Sequence, residues 1–200
     1  MRRLGIGWLV AAMMVIALWN GSACWVRADV VYSTLGDGDS WDQDNCYVVL
    51  GPDAVGGPRP FAPAMPFTPD FTVTFTSIEL PLGMGLIHGT NGLIVALCDD
   101  SDGVPGDIIE AFEFDDLPYV FADDLPLSVA FSQLQPTLEE GTTYWVAVFP
   151  LADDTAGGWN LSSPLQMGVW AASQDGGGSW TLNPYGGTGI AAFRVNGDPQ

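Results

Sequence analysis

The chain has 200 residues, with 24 Asp and Glu against five Lys and Arg, a formal net charge of −19 and an apolar fraction of 48%. That apolar content is enough for a packed core and excludes a disordered chain, and the length suits one domain. The acidic balance excludes nucleic acid and anionic lipid as partners, because neutralising phosphates takes clustered Lys or Arg.

Arg2 and Arg3 open the chain, an uncharged apolar run follows over Leu4–Trp19, and a polar stretch ends in Val26-Arg27-Ala28. This order predicts a secretory signal peptide over residues 1–28, cut after Ala28. The apolar run falls short of the ~20 residues of a spanning helix, so cleavage is expected, with a retained N-terminal anchor as the alternative. Gly21-Ser22-Ala23-Cys24 matches a lipobox only loosely, since Gly21 stands where an aliphatic residue belongs. The expected location is secreted or cell-surface, with no membrane span in the mature chain. Cleavage leaves Arg59 and Arg194 facing all 24 acids, with no lysine. Such a surface is soluble and offers cation sites.

Residues 29–200 are expected to form a single all-β domain. Helical periodicity is nearly absent, and short β-rich runs are split by Gly, Pro, Asp and Asn. Strands are predicted over 29–34, 46–50, 71–80, 92–98, 108–114, 127–132, 142–149, 157–161, 167–172, 179–182 and 189–195. Segment 51–70 carries six prolines, from Pro52 to Pro69, and reads as a connection unable to form a ladder strand. In 71–80, Phe71, Val73 and Phe75 share one face, but Ile78 and Leu80 continue on even numbers, which predicts a bulge near Thr76-Ser77. Leu93–Leu97 and Tyr144–Phe149 are apolar on both faces, as central strands are. In 127–132, Leu127, Val129 and Phe131 alternate with Ser128, Ala130 and Ser132. The spacing of these runs predicts a two-sheet antiparallel sandwich, jelly-roll-like.

The sharpest local motif is Cys98-Asp99-Asp100-Ser101-Asp102-Gly103, continuing to Asp107. Aspartates next to glycine hold turns, while Asp100-x-Asp102-Gly103 also resembles the start of a calcium loop. Asp99, Asp100, Asp102 and Asp107 are therefore the candidate Ca²⁺ ligands, although an EF-hand's distal Glu and flanking helices are missing. A second acidic loop runs through Asp37, Asp39, Asp42 and Asp44. Cys46 and Cys98 either form one disulfide in an oxidising compartment, worth ~4 kcal/mol in the chain-entropy model, or stay as two buried thiols. Glu79, Glu110 and Glu113 lie on predicted strands and are the only candidates for a glycosidase pair. His88 is the one histidine, which excludes multi-His metal sites. No Gly-x-Ser-x-Gly elbow supports a serine hydrolase. Gly176-Gly177-Gly178 before Ser179-Trp180 reads as a hairpin turn rather than a phosphate loop. Trp159, Trp180 and Tyr185 sit beside glycine-rich turns and are the candidates for a sugar-stacking platform, with core filling as the alternative.

Several short motifs in order resemble the bacterial choice-of-anchor domain proteins, nearest to choice-of-anchor R. They are Tyr32-Ser33-Thr34-Leu35-Gly36-Asp37-Gly38-Asp39-Ser40, Phe67-Thr68-Pro69 and Ser77-Ile78-Glu79-Leu80-Pro81-Leu82. Next come Val95-Ala96-Leu97-Cys98 running into Gly103-Val104-Pro105-Gly106, and Leu138-Glu139-Glu140-Gly141-Thr142-Thr143-Tyr144-Trp145-Val146. Trp180 and Ala192-Phe193-Arg194-Val195 close the series. The resemblance implies an exported β-sandwich domain, usually tied to an exchangeable C-terminal anchor, and it implies no catalytic residues. No sorting signal follows Asn196 here, so free secretion is the expectation. The function expected is a non-catalytic module for surface, matrix or polysaccharide interaction. The alternatives are a carbohydrate-active hydrolase and a calcium-stabilised structural module.

Overall fold

A computed structural model describes residues 28–55, 60–85, 89–183 and 189–200. These residues form two antiparallel sheets packed face to face, with no helix among them. The strands are β1 (Asp29–Ser33), β2 (Trp41–Leu50), β3 (Ala62–Phe67), β4 (Val73–Met84), β5 (Gly92–Ser101), β6 (Val104–Asp115) and β7 (Leu127–Phe131). They continue with β8 (Thr137–Leu138), β9 (Tyr144–Pro150), β10 (Ala156–Ser162), β11 (Ala171–Ser173), β12 (Thr181–Leu182) and β13 (Arg194–Pro199). The first sheet runs β1-β13-β4-β10-β2, with β7 and β8 also on β4; the second runs β12-β11-β3-β9-β5-β6. From β2 to β5 the chain changes sheet at every connection, and again from β8 to β11. This alternation makes the sandwich jelly-roll-like.

The core between the sheets follows the period-two pattern. Val73, Phe75, Ile78, Leu80 and Leu82 of β4 are all fully buried. They stay on one face because Asn196 pairs with Ser77 and Gly197 with Phe75, so Thr76 is the extra residue of the expected bulge. β5 and β9 lie side by side within the second sheet. Leu93, Val95 and Leu97 face inward with Tyr144, Val146 and Val148. The opposite faces of the same strands, Ala96 and Cys98 with Trp145 and Ala147, are also buried, as their two-sided apolar pattern requires.

One expectation is corrected. The proline-rich segment contains β3, which pairs with β9 from Ala64–Ala147 to Phe67–Tyr144 and with β11 from Ala62–Ser173 to Ala64–Ala171. Each proline deletes one donor but keeps its carbonyl. Pro63 and Pro66 are spaced so that Ala64, Met65 and Phe67 still have amides to donate. In β7 the more apolar set faces outward. Ala130 lies beside Ile78 and is buried, whereas Val129 lies beside Glu79 and Phe131 beside Ser77, with Phe131 72% exposed.

The first and last strands are tied together. β13 lies between β1 and β4. The fully buried Thr34 hydroxyl donates to the Ala191 carbonyl at 2.8 Å and accepts from the Phe193 amide at 2.8 Å. Arg194 then clamps the outer face of the first sheet. It pairs with Asp39 at 2.6 Å and with Glu79, whose other oxygen accepts from Asn196 at 2.7 Å.

Candidate functional site

The outer face of the second sheet carries a floor of small side chains. Ala64 of β3, Ala147 of β9, Ala96 of β5 and Ala171 of β11 form one cluster with Cys98 and Trp145. A residue with no more than a methyl group leaves room above the sheet, and here aromatic rings take that room. Phe149 and Trp180 pack on the cluster while remaining partly exposed. Their rings meet edge to face, with centroids 5.9 Å apart at 71°, a geometry that adds to plain burial.

Trp180 is held by the loop that joins β11 to β12. Asp175 Oδ1 accepts the Ser173 hydroxyl at 2.8 Å and the Ser179 amide at 2.9 Å, and Oδ2 accepts the Ser179 hydroxyl at 2.6 Å. Ser173 Oγ in turn accepts the Gly177 amide at 2.7 Å. Gly176 and Gly177 take φ of 78° and 98°, a region glycine enters freely. The bonds from Ser179 and Ser173 hold the Asp175 carboxyl down to about 2. A carboxyl with a depressed folded pKa adds stability above its ordinary value of about 3.9, and that stability is lost as pH falls toward the folded value. The 174–180 loop is therefore expected to loosen between about pH 4 and pH 2. Faster amide exchange at Gly177 and Ser179 over that window would report it, and a flat profile would show that Asp175 does not hold the loop.

Two cavities flank this loop. One of about 610 Å³ is lined by Ile94, Cys98, Ile108, Phe149, Pro150 and Trp180, with Asp107 at its edge. The other, about 350 Å³, lies between Phe61, Pro150 and Leu151, with Asp153 and Asp175 on its wall. Both include Pro150 and Gly176, so they meet at the loop. A third cavity, about 450 Å³, lies beyond Trp145 between Thr68, Thr143 and Asp100. Sites of this size with mixed apolar and polar walls suit small organic ligands.

The predicted residues divide sharply. Trp180 lines the cavity of about 610 Å³ and is partly exposed. Trp159 does not: it is fully buried in the first sheet, its ring 5.8 Å from Phe193 and its Nε1 donating to the Ala192 carbonyl at 2.7 Å. Tyr185 and His88 lie outside the described residues. The four aspartates of the acidic β5–β6 motif do not gather. Among the described residues no three His, Cys, Asp or Glu side chains gather as a cation site. Asp100 spends its oxygens locally, Oδ2 accepting the Gly103 amide at 3.0 Å and Oδ1 accepting Trp145 Nε1 at 2.8 Å. Asp102 and Gly103 form the tip of the β5–β6 hairpin with φ of 56° and 85°, the signs of a type I′ turn. Asp99, Asp102 and Asp107 do not converge with Asp100 on a common cation position.

Cys46 and Cys98 are free thiols rather than a disulfide. Cys46 belongs to β2 of the first sheet, against Gly158 and Val120, while Cys98 belongs to the outer cluster of the second sheet. The body of the sandwich separates them, beyond the reach of a disulfide. Burial pushes the Cys46 thiol up to about 11, and burial together with the Asp99 charge pushes Cys98 up to about 12. Both are poor nucleophiles at neutral pH.

The three glutamates are dispersed. Glu79 is bound to Arg194 and Asn196 on the outer face of the first sheet. Glu110 is 8% exposed and accepts from Ser132 Oγ, the Gln133 amide and the Leu134 amide. Glu113 is exposed on β6 beside Ile94. Glu79 and Glu110 are each taken up by internal donors, and Glu113 stands exposed away from both, which is not the facing pair of a glycosidase. The Asp175 staple escaped the sequence reading, although Ser173-x-Asp175-x-Gly177-x-Ser179-Trp180 carries its signal. An aspartate between two hydroxyl residues, followed by glycines, can accept from both ends of its own loop. No protein-family model matches the chain, and no curated protein matches it.

Proposed function

We propose that this chain is a non-catalytic, exported β-sandwich module of the choice-of-anchor kind that binds a saccharide in the groove beside Trp180. The signal-like segment 1–28 supports export, and the ordered motifs from Tyr32 to Val195 support the family. The observation that carries the binding reading is the Trp180–Phe149 pair, half-exposed over the alanine floor and opening on a cavity of about 610 Å³. Rigid, partly covered rings beside a cavity offer a flat apolar face to the C–H side of a sugar at little entropic cost. The dispersal of Glu79, Glu110 and Glu113 supports binding over hydrolysis.

A glycan array and polysaccharide pull-down tests this reading, with Trp180→Ala and Trp180→Phe beside the parent chain. Binding to at least one saccharide is expected, weakened about tenfold or more by Trp180→Ala and largely kept by Trp180→Phe. Equal melting temperatures of the three proteins separate lost contact from lost fold. Absence of binding to every saccharide would reject the proposal.

A further inference from the structure

We propose that the two cavities meeting at the 174–180 loop form one groove for an extended chain of amino sugars with free, protonated amines. This rests on the saccharide reading above and adds the ligand's charge and length. Pro150 and Gly176 line both cavities, of about 350 and 610 Å³. Either one is large enough for a small organic ligand, so the two in series suit a chain rather than a single ring.

Among the described residues, the charged groups lining the groove are all carboxylates: Asp153 and Asp175 on one side of the loop, Asp107 on the other. Asp175 is committed to Ser173 and Ser179. Asp107 and Asp153 are exposed, and their carboxylates have no hydrogen bond or ion pair among the described residues. The groove thus presents a free anion in each cavity, with Trp180, Phe149 and Pro150 near the junction. A polymer of alternating apolar ring faces and ammonium groups complements that order, with the rings over the aromatics and the amines at the carboxylates. An ammonium near the Trp180 face gains a cation–π contribution as well. An anionic polysaccharide is repelled by the same groups, and an N-acetylated one lacks the charge that would pair with them.

The test measures binding of a β-linked glucosamine hexamer, its dimer, the fully N-acetylated hexamer and a galacturonate oligomer at mildly acidic pH. Lysine hexapeptide serves as a polycation of another class. The free-amine hexamer is expected to bind about tenfold more tightly than the N-acetylated one, and the dimer to bind more weakly than the hexamer. Asp107→Asn with Asp153→Asn should abolish the preference, as should high salt. Asp115→Asn with Asp116→Asn, at exposed positions on and after the end of β6 and outside the groove lining, should change nothing. Equal binding of the N-acetylated hexamer overturns the charge assignment but leaves the saccharide reading standing. Binding of no saccharide removes both. Lysine hexapeptide binding as tightly as the amino sugar overturns the occupant, and an equal loss in the Asp115/Asp116 variant overturns the site.

Discussion

Trp159→Ala is expected to destabilise the domain by about 4 kcal/mol, the cost of truncating a buried tryptophan. The melting temperature should fall by roughly 10–15 °C for a chain of this length. Trp159 sits in β10 between Leu82 of β4 and Tyr47 of β2, one strand in from the edge of the first sheet. Truncation removes the ring that meets Phe193 at 68° and leaves the Ala192 carbonyl without its donor. Collapse regains little of the lost contact, because β4 is also held in ladders with β13, β7 and β8. Trp159→Phe keeps much of the ring and should cost about half as much. Thermal unfolding of the two variants checks the order, and an unchanged melting temperature for Trp159→Ala would contradict its place in the core.

Trp159 also shows where the sequence is ambiguous. Gly157-Gly158 before it suggests a turn and an exposed ring. In the structure these glycines are sites of close packing. A Cβ on Gly157 would stand 3.0 Å from the Gly83 carbonyl oxygen and from Leu93, and one on Gly158 would stand 2.8 Å from Cys46 Sγ. A strand glycine marks either a turn or a crowded backbone, and only the neighbouring strands decide which. β7 has the same difficulty: its alternation was plain, but which face is buried depends on Ile78 lying beside Ala130. By contrast, β4, β5 and β9 were legible because their patterns contain their own reference. A phase slip within one strand requires a bulge, and a strand apolar on both faces requires two covers. The candidate site was half legible for the same reason. Trp180 stood out locally, but the floor beneath it is built from β3, β5, β9 and β11, which no local pattern places together.

Glu110→Ala is expected to cost about 3 kcal/mol, because several donors lose a charged acceptor at once. Glu110 stands on β6, an edge strand of the second sheet, yet its partners follow β7 of the first. Its carboxylate therefore laces the two sheets together across an open side of the sandwich. The Ser132 hydroxyl that donates to Glu110 also accepts the Gln135 amide at 2.8 Å, and the Ser132 amide donates to the Thr76 carbonyl at 2.8 Å. Removing the carboxylate frees the whole 132–135 turn, including Gln135, which holds a φ of 48°. Glu110→Gln keeps one acceptor oxygen and the shape, and should lose only about 1 kcal/mol. Denaturant unfolding of both variants, with amide exchange at Gln133 and Leu134, distinguishes this role from a catalytic one. A structural Glu110 gives graded losses of stability with local loosening of the turn. A Glu110→Ala protein as stable as its parent would show that the carboxylate is free of this duty and return it to the candidates for chemistry.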